Sequence, residues 1–150
     1  MRFTLIFAPH MELSSHLARL RHADLFLDSV PYNAGATASN ALWAGMPMMT
    51  CIGDTFAGRM AASMLHAIGL PELVTTSLQD YEALATKLAT DRAALASLRR
   101  KIEQNRPAYP LFDADRFRRH IEAAYTTMWE THQRGESRRS FAVEAVATFA

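Results

Sequence analysis

The sequence is short of the features that mark several large protein classes. It has one cysteine in 150 residues, Cys51, so neither an internal disulfide nor a cysteine-based zinc cluster forms within the chain. No apolar run approaches the ~18 residues that a membrane-spanning helix needs. The opening MRFTLIFAPH has a short apolar stretch but lacks the length and the small-residue cleavage site of a signal peptide. Neither sign of charge is in excess: 16 Lys and Arg stand against 15 Asp and Glu. That balance argues against a dedicated nucleic-acid binder, which carries a basic face. No HExxH, P-loop or GxGxxG pattern occurs. His10, His16 and His22 are six residues apart, which puts no pair of them within one helical turn, so no metal site is expected. These absences point to a cytoplasmic protein without membrane or nucleic-acid partners.

What is present describes a globular chain. Hydrophobic residues make up 49% and charged residues 21%, enough apolar matter to exclude wholesale disorder. The length suits one domain. The first half alternates short apolar runs with helical patterns. Strands are predicted over 3–8, 24–28, 47–52 and 72–75, with helices over 12–21, 38–44 and 56–68 between them. Such alternation with short connections implies βαβ units, hence an α/β fold with a parallel sheet. The second half is helical. Ser77 with Asp80 reads as a partial capping box, and Leu78, Tyr81, Leu84, Ala85 and Leu88 as the apolar stripe behind it. Thr90 or Asp91 opens the next helix, with Leu95, Leu98 and Ile102 inward and Arg99–Lys101 as a solvated end. Asp113 opens a long helix with Phe117, Ile121, Tyr125, Met128 and Trp129 on one side. Residues 136–150 read as a tail, frayed or docked as a short helix.

In parallel α/β sheets, ligands bind at the loops that leave the carboxyl ends of the strands. Three loops qualify: 9–15, 31–39 and 53–57. The run NAGATASN at 33–40 is small and polar, and it leads into a helix N-terminus, where free N–H groups and the dipole suit an anion. Thr37 and Ser39 serve there either as ligand donors or simply as helix caps. Asp28 either acts at the strand end or stops the strand. Cys51 and the methionines at 46, 48 and 49 read as core.

Longer runs carry a resemblance. ADLFLDSVPYN at 23–33, ALWAGMPMMTCIGDTFAGRMAASML at 41–65, GLPELVTTSLQDYEALATKLATD at 69–91 and RPAYPLFDADRF at 106–117 resemble the O-linked N-acetylglucosamine transferases and their bacterial and SPINDLY-type relatives. LWAG-x-P followed by G-D-T-F-A-x-R is a specific signature, and the resemblance covers about residues 3–135 in order. It implies a partial Rossmann-like domain over 1–135, incomplete at its N-terminus: the nucleotide-binding half of a GT-B glycosyltransferase. It further implies UDP-N-acetylglucosamine as donor, no separate cofactor, and a protein Ser or Thr as acceptor. TPR repeats and a second catalytic domain belong to such proteins outside this stretch.

By the same resemblance, His16 and Arg19 face the uracil, and the loop Gly35, Ala36, Thr37 and Asn40 faces the diphosphate and ribose. A family Lys before the His corresponds to Leu13. Thr37 matches its family Thr, but the family His, first Thr and Asp are here Gly35, Ala36 and Asn40. Three readings follow. The chain is a nucleotide-binding domain that works with a second domain, a degenerate interaction module, or a different phosphate-binding α/β protein. Transfer by the chain alone is not expected. A sheet lacking its opening strands should expose an edge, so a homo-oligomer is expected.

Overall fold

The computed structural model describes residues 4–144. Helix α1 (Leu13–Leu20) leads to strand β1 (Phe26–Leu27), helix α2 (Ala36–Trp43) and strand β2 (Met48–Cys51). A 3-10 turn at Ala57–Arg59 runs into α3 (Met60–Ala67). A second such turn at Pro71–Leu73 runs into strand β3 (Val74–Thr75). Helices α4 (Leu78–Thr90), α5 (Arg92–Asn105) and α6 (Ala114–Gln133) complete the described chain.

The sheet is parallel throughout, in the order β1-β2-β3. Phe26 aligns with Met48 and Leu27 with Met49; Thr50 aligns with Val74 and Cys51 with Thr75. All four residues of β2 are buried, as a central parallel strand covered on both faces requires. The core gathers Leu42 from α2, Met48 and Met49 from β2, Leu65 and Ile68 from α3, and Ile102 from α5, each fully buried. The sequence expectation of an α/β parallel fold therefore holds, and the methionines at 46, 48 and 49 are core filling.

The caps explain where the later helices begin. The Ser77 hydroxyl accepts from the Asp80 N–H at 3.0 Å, and the Asp91 and Asp113 carboxylates accept from the Ala94 and Arg116 N–H groups at 2.9 and 2.8 Å. Gly45 and Gly69 close α2 and α3 with φ of 80° and 75°, the left-handed conformation that glycine adopts without strain. A side chain at 69 would also strike the Tyr109 ring.

Three expectations are corrected. The strand over 3–8 does not form in its described part. Residues 4–8 form neither helix nor strand, with Leu5, Ile6 and Phe7 about 80% exposed or more. A strand without a neighbour has no ladder to stabilise it. The strands over 24–28 and 72–75 shorten to two residues each, because Asp28 turns away into a loop and Pro71 opens a 3-10 turn. Arg99 and Lys101 are not merely solvated. Arg99 donates to the Ala23 carbonyl and lies 3.9 Å from Asp24, and Lys101 pairs with Glu72 at 2.6 Å. Helix α6 forms where expected behind its Asp113 cap, and it buries no residue: Phe117, Tyr125, Met128 and Trp129 are exposed. Residues 136–144 form neither helix nor strand, and the rest of the tail lies outside the described residues.

Candidate functional site

The carboxyl ends of β1 and β2 open into two interlocked loops. Asp28, at the end of β1, is 5% exposed and organises the first. Its Oδ1 accepts from the Ser29 N–H at 2.8 Å and the Ala34 N–H at 2.7 Å. Its Oδ2 accepts from the Thr50 hydroxyl on β2 at 2.6 Å. Its backbone carbonyl accepts from the Tyr81 hydroxyl on α4 at 2.9 Å. Burial, and second the nearby Asp28 charge, push the Tyr81 phenol above its ordinary 10.0. Asp28 thus does more than end the strand. It folds the loop back so that α2 starts beside β2.

Asn33 does the same work one turn on. Fully buried, it donates through Nδ2 to the carbonyls of Ser29 at 2.9 Å and Cys51 at 3.4 Å, while its Oδ1 has no hydrogen-bond partner among the described residues. Its backbone N–H reaches the Ala57 carbonyl of the second loop at 3.3 Å. That second loop closes on itself: Gly53 N–H donates to the Gly58 carbonyl at 2.7 Å, and Gly58 N–H to the Thr55 hydroxyl at 3.0 Å. A Cβ at Gly58 would lie 3.1 Å from the Pro31 carbonyl oxygen and 3.3 Å from Gly53 Cα. The two loops pass too close there for any side chain without a backbone shift.

This frame presents the N-terminus of α2. The helix begins at Ala36, two residues earlier than its sequence pattern predicts, with Gly35 as the cap residue and no side chain capping it. The capping reading of Thr37 and Ser39 is therefore overturned: both lie inside the helix, and neither makes a hydrogen bond through its hydroxyl among the described residues. Thr37 is exposed. The first-turn N–H groups are left without side-chain partners, the condition in which a helix start attracts an anion. Gly35 has φ of −101°, a value open to other residues. A Cβ there would meet only the flexible end of Met60, its Cε at 3.0 Å.

The remaining expected contacts lie on α1, which packs against α2. His16 Nδ1 and Arg19 Nη2 are 3.1 Å apart, and Arg19 Nη1 donates to the Pro9 carbonyl at 3.0 Å. Asn40 sits partly buried one turn into α2. So the structure brings Gly35, Ala36, Thr37 and Asn40 together on one helix start, and places the His16–Arg19 pair on the neighbouring helix. Among the described residues no group of three or more His, Cys, Asp or Glu is arranged to hold a metal. No described helix is long and apolar enough to cross a membrane. Sequence reasoning missed the supporting residues Asn33, Gly58, Met60 and Tyr81. The tight G-D-T-F-A-G spacing was a signal for Gly58, but nothing local marks Tyr81, which lies 53 residues from Asp28.

A parallel sheet whose strand ends feed an open helix N-terminus defines a Rossmann-like α/β domain. Residues 2–121 match the model of glycosyl transferase family 41, and the chain belongs to that family. It is 34% identical over 131 residues to the UDP-N-acetylglucosamine–peptide N-acetylglucosaminyltransferase of Caenorhabditis elegans, an alignment covering 87% of this chain and 11% of that protein. It is 33% identical over 122 residues to the protein of Hordeum vulgare named "Probable UDP-N-acetylglucosamine–peptide N-acetylglucosaminyltransferase SPINDLY", covering 81% of this chain and 13% of that one. Among solved structures, a mutant O-GlcNAc transferase of Thermobaculum terrenum superposes with a TM-score of 0.78 at 33% identity, over 83% of this chain and 24% of that one. The chain thus spans a small part of the length of the proteins it matches.

Proposed function

We propose that this chain is the nucleotide-holding part of a protein O-GlcNAc transferase, with the diphosphate of UDP-N-acetylglucosamine seated at the N-terminus of α2. The observation that carries the reading is the open helix start at Gly35–Thr37, held rigidly at the carboxyl end of the sheet by Asp28 and Asn33. Backbone N–H groups of Ala36 and Thr37 and the Thr37 hydroxyl meet the phosphate oxygens. Asn40 holds a ribose hydroxyl, and the His16–Arg19 pair on α1 faces the uracil. Membership of family 41 and the named activities of its relatives support the donor; the acceptor is then a protein hydroxyl. GT-B chemistry draws groups from two domains across a cleft, so this chain binds donor but transfers no sugar by itself.

Three positions at the start of α2 set the strength of binding. Gly35, Ala36 and Asn40 stand where relatives of this type carry a His, a Thr and an Asp. Each restored charge-assisted hydrogen bond is worth about 1.5–3 kcal/mol, and 1.4 kcal/mol is a factor of ten in affinity. The test is calorimetric titration of UDP into the natural chain and into the Gly35→His, Ala36→Thr, Asn40→Asp triple variant. Binding that tightens tenfold or more in the variant supports the site. Equal affinity in two equally stable proteins would mean that the loop does not face a nucleotide. A Cβ at Gly35 meets the flexible end of Met60, which must give way for the new imidazole, so melting curves of both proteins accompany the titration.

A further inference from the structure

The diphosphate seat proposed at the start of α2 is short of positive charge. A diphosphate ester carries more than one negative charge, and a helix start offers only about half a positive one. Gly35 and Ala36 bring no side-chain donor to it, and Asn40 is uncharged. On the neighbouring helix Arg19 is already engaged, by the Pro9 carbonyl at 3.0 Å and by His16 at 3.1 Å.

The loop that leaves β2 carries a cation without a partner. Arg59 ends the 3-10 turn at Ala57–Arg59 and directly precedes α3. It is exposed, and its guanidinium makes no hydrogen bond, ion pair or ring contact among the described residues. Arg99, Arg106, Arg118 and Arg134, by contrast, each hold a carbonyl or a carboxylate. Arg59 is not spent on Asp54 of its own loop either, although the Gly53 N–H and the Gly58 carbonyl close that loop at 2.7 Å.

The backbone on both sides of Arg59 is tied to the approach to α2. The Ala57 carbonyl accepts from the Asn33 N–H at 3.3 Å. Met60 reaches the space beside Gly35, its Cε 3.0 Å from where a Cβ would stand. Adjacent Cα atoms are about 3.8 Å apart, and an arginine side chain is longer than the methionine that already spans this gap. A guanidinium is permanently charged, and its planar fork meets two phosphate oxygens at once.

We infer that Arg59 is the cationic partner of the donor's diphosphate, its guanidinium bonding phosphate oxygens held by the N–H groups of Ala36 and Thr37. The inference rests on the nucleotide reading of the α2 start and adds to it a residue from another loop.

The test is calorimetric titration of UDP and of uridine into the natural chain, Arg59→Gln and Arg59→Lys, with melting curves for each. Arg100→Gln, which removes the same charge from an exposed site on α5, is the control. Arg59→Gln should weaken UDP binding about tenfold or more, the size of one charge-assisted hydrogen bond, and leave uridine binding and the melting temperature unchanged. Arg59→Lys should fall between Arg59→Gln and the natural chain, because it keeps the charge and loses the fork. Arg100→Gln should bind UDP as the natural chain does. UDP that binds the natural chain and Arg59→Gln equally well would overturn the inference and leave the nucleotide site standing. So would a loss that uridine shares, or one that Arg100→Gln reproduces. A natural chain that binds no UDP at millimolar concentration would remove the site and the inference together.

Discussion

Replacing Asp28 by alanine should cost more than any other single change at the strand ends. Its carboxylate accepts from Ser29 N–H, Ala34 N–H and the Thr50 hydroxyl, at 2.8, 2.7 and 2.6 Å. Ser29 is exposed and water can replace its lost partner, but Thr50 is wholly buried and Ala34 is half-buried. A buried donor left without an acceptor costs about 1–3 kcal/mol, so two of them amount to roughly 2–6 kcal/mol. In a chain of this size each kcal/mol moves the melting temperature by about 2–4 °C, and a fall of roughly 4–24 °C is expected. Thermal melts followed by circular dichroism measure it. Thr50→Val is the comparison: it removes one donor and leaves the carboxylate its two backbone partners, so its loss should be near the size of one ordinary hydrogen bond, about 1 kcal/mol. An Asp28→Ala protein melting within about 2 °C of the natural one would refute the reasoning, because even one orphaned buried donor exceeds that.

Other perturbations test other joints. Tyr81 has its phenol raised above 10.0, first by burial and second by the Asp28 charge; the folded form holds this proton more tightly than the unfolded one. Its stabilisation is therefore intact below pH 10 and lost as pH rises through the raised value, so the natural chain should lose stability above pH 10 more steeply than Tyr81→Phe. Ile102→Ala, at a fully buried site where α5 meets the core, should cost about 2–5 kcal/mol in denaturant unfolding. Ser77→Ala removes the acceptor of the Asp80 N–H and should cost about 1 kcal/mol. Gly58→Ala should cost about 1–3 kcal/mol by pushing the two loops apart, and should weaken UDP binding with it.

The sheet was legible because its central strand is mostly apolar from Met48 to Cys51 and its helices end at glycines whose positive φ the sequence advertises. The caps at Ser77, Asp91 and Asp113 were legible for the same local reason: each side chain bonds its own helix start. What escaped is set by partners distant in sequence. Thr4–Ala8 has the composition of a strand, yet pairing is decided by a neighbour that no local pattern supplies. The α6 face of Phe117, Tyr125, Met128 and Trp129 is periodic, yet periodicity does not say whether anything covers it. At the site, the loop was found from its position after a strand, and its start was misplaced by two residues. Gly35 caps through its backbone and leaves no side-chain signature.

The central claim is that the start of α2 seats a nucleotide diphosphate. Its most direct measurement is an amide-resolved NMR titration with UDP, with uridine as the comparison. The N–H groups of Ala36, Thr37 and Ala38 point out of the uncapped helix start, and phosphate at that position shifts them through hydrogen bonding and charge. The expected result is that UDP moves these three amides and saturates, while uridine moves only resonances near His16 and Arg19 on α1. UDP shifts that spare residues 36–38, or that uridine reproduces there in full, would contradict the claim.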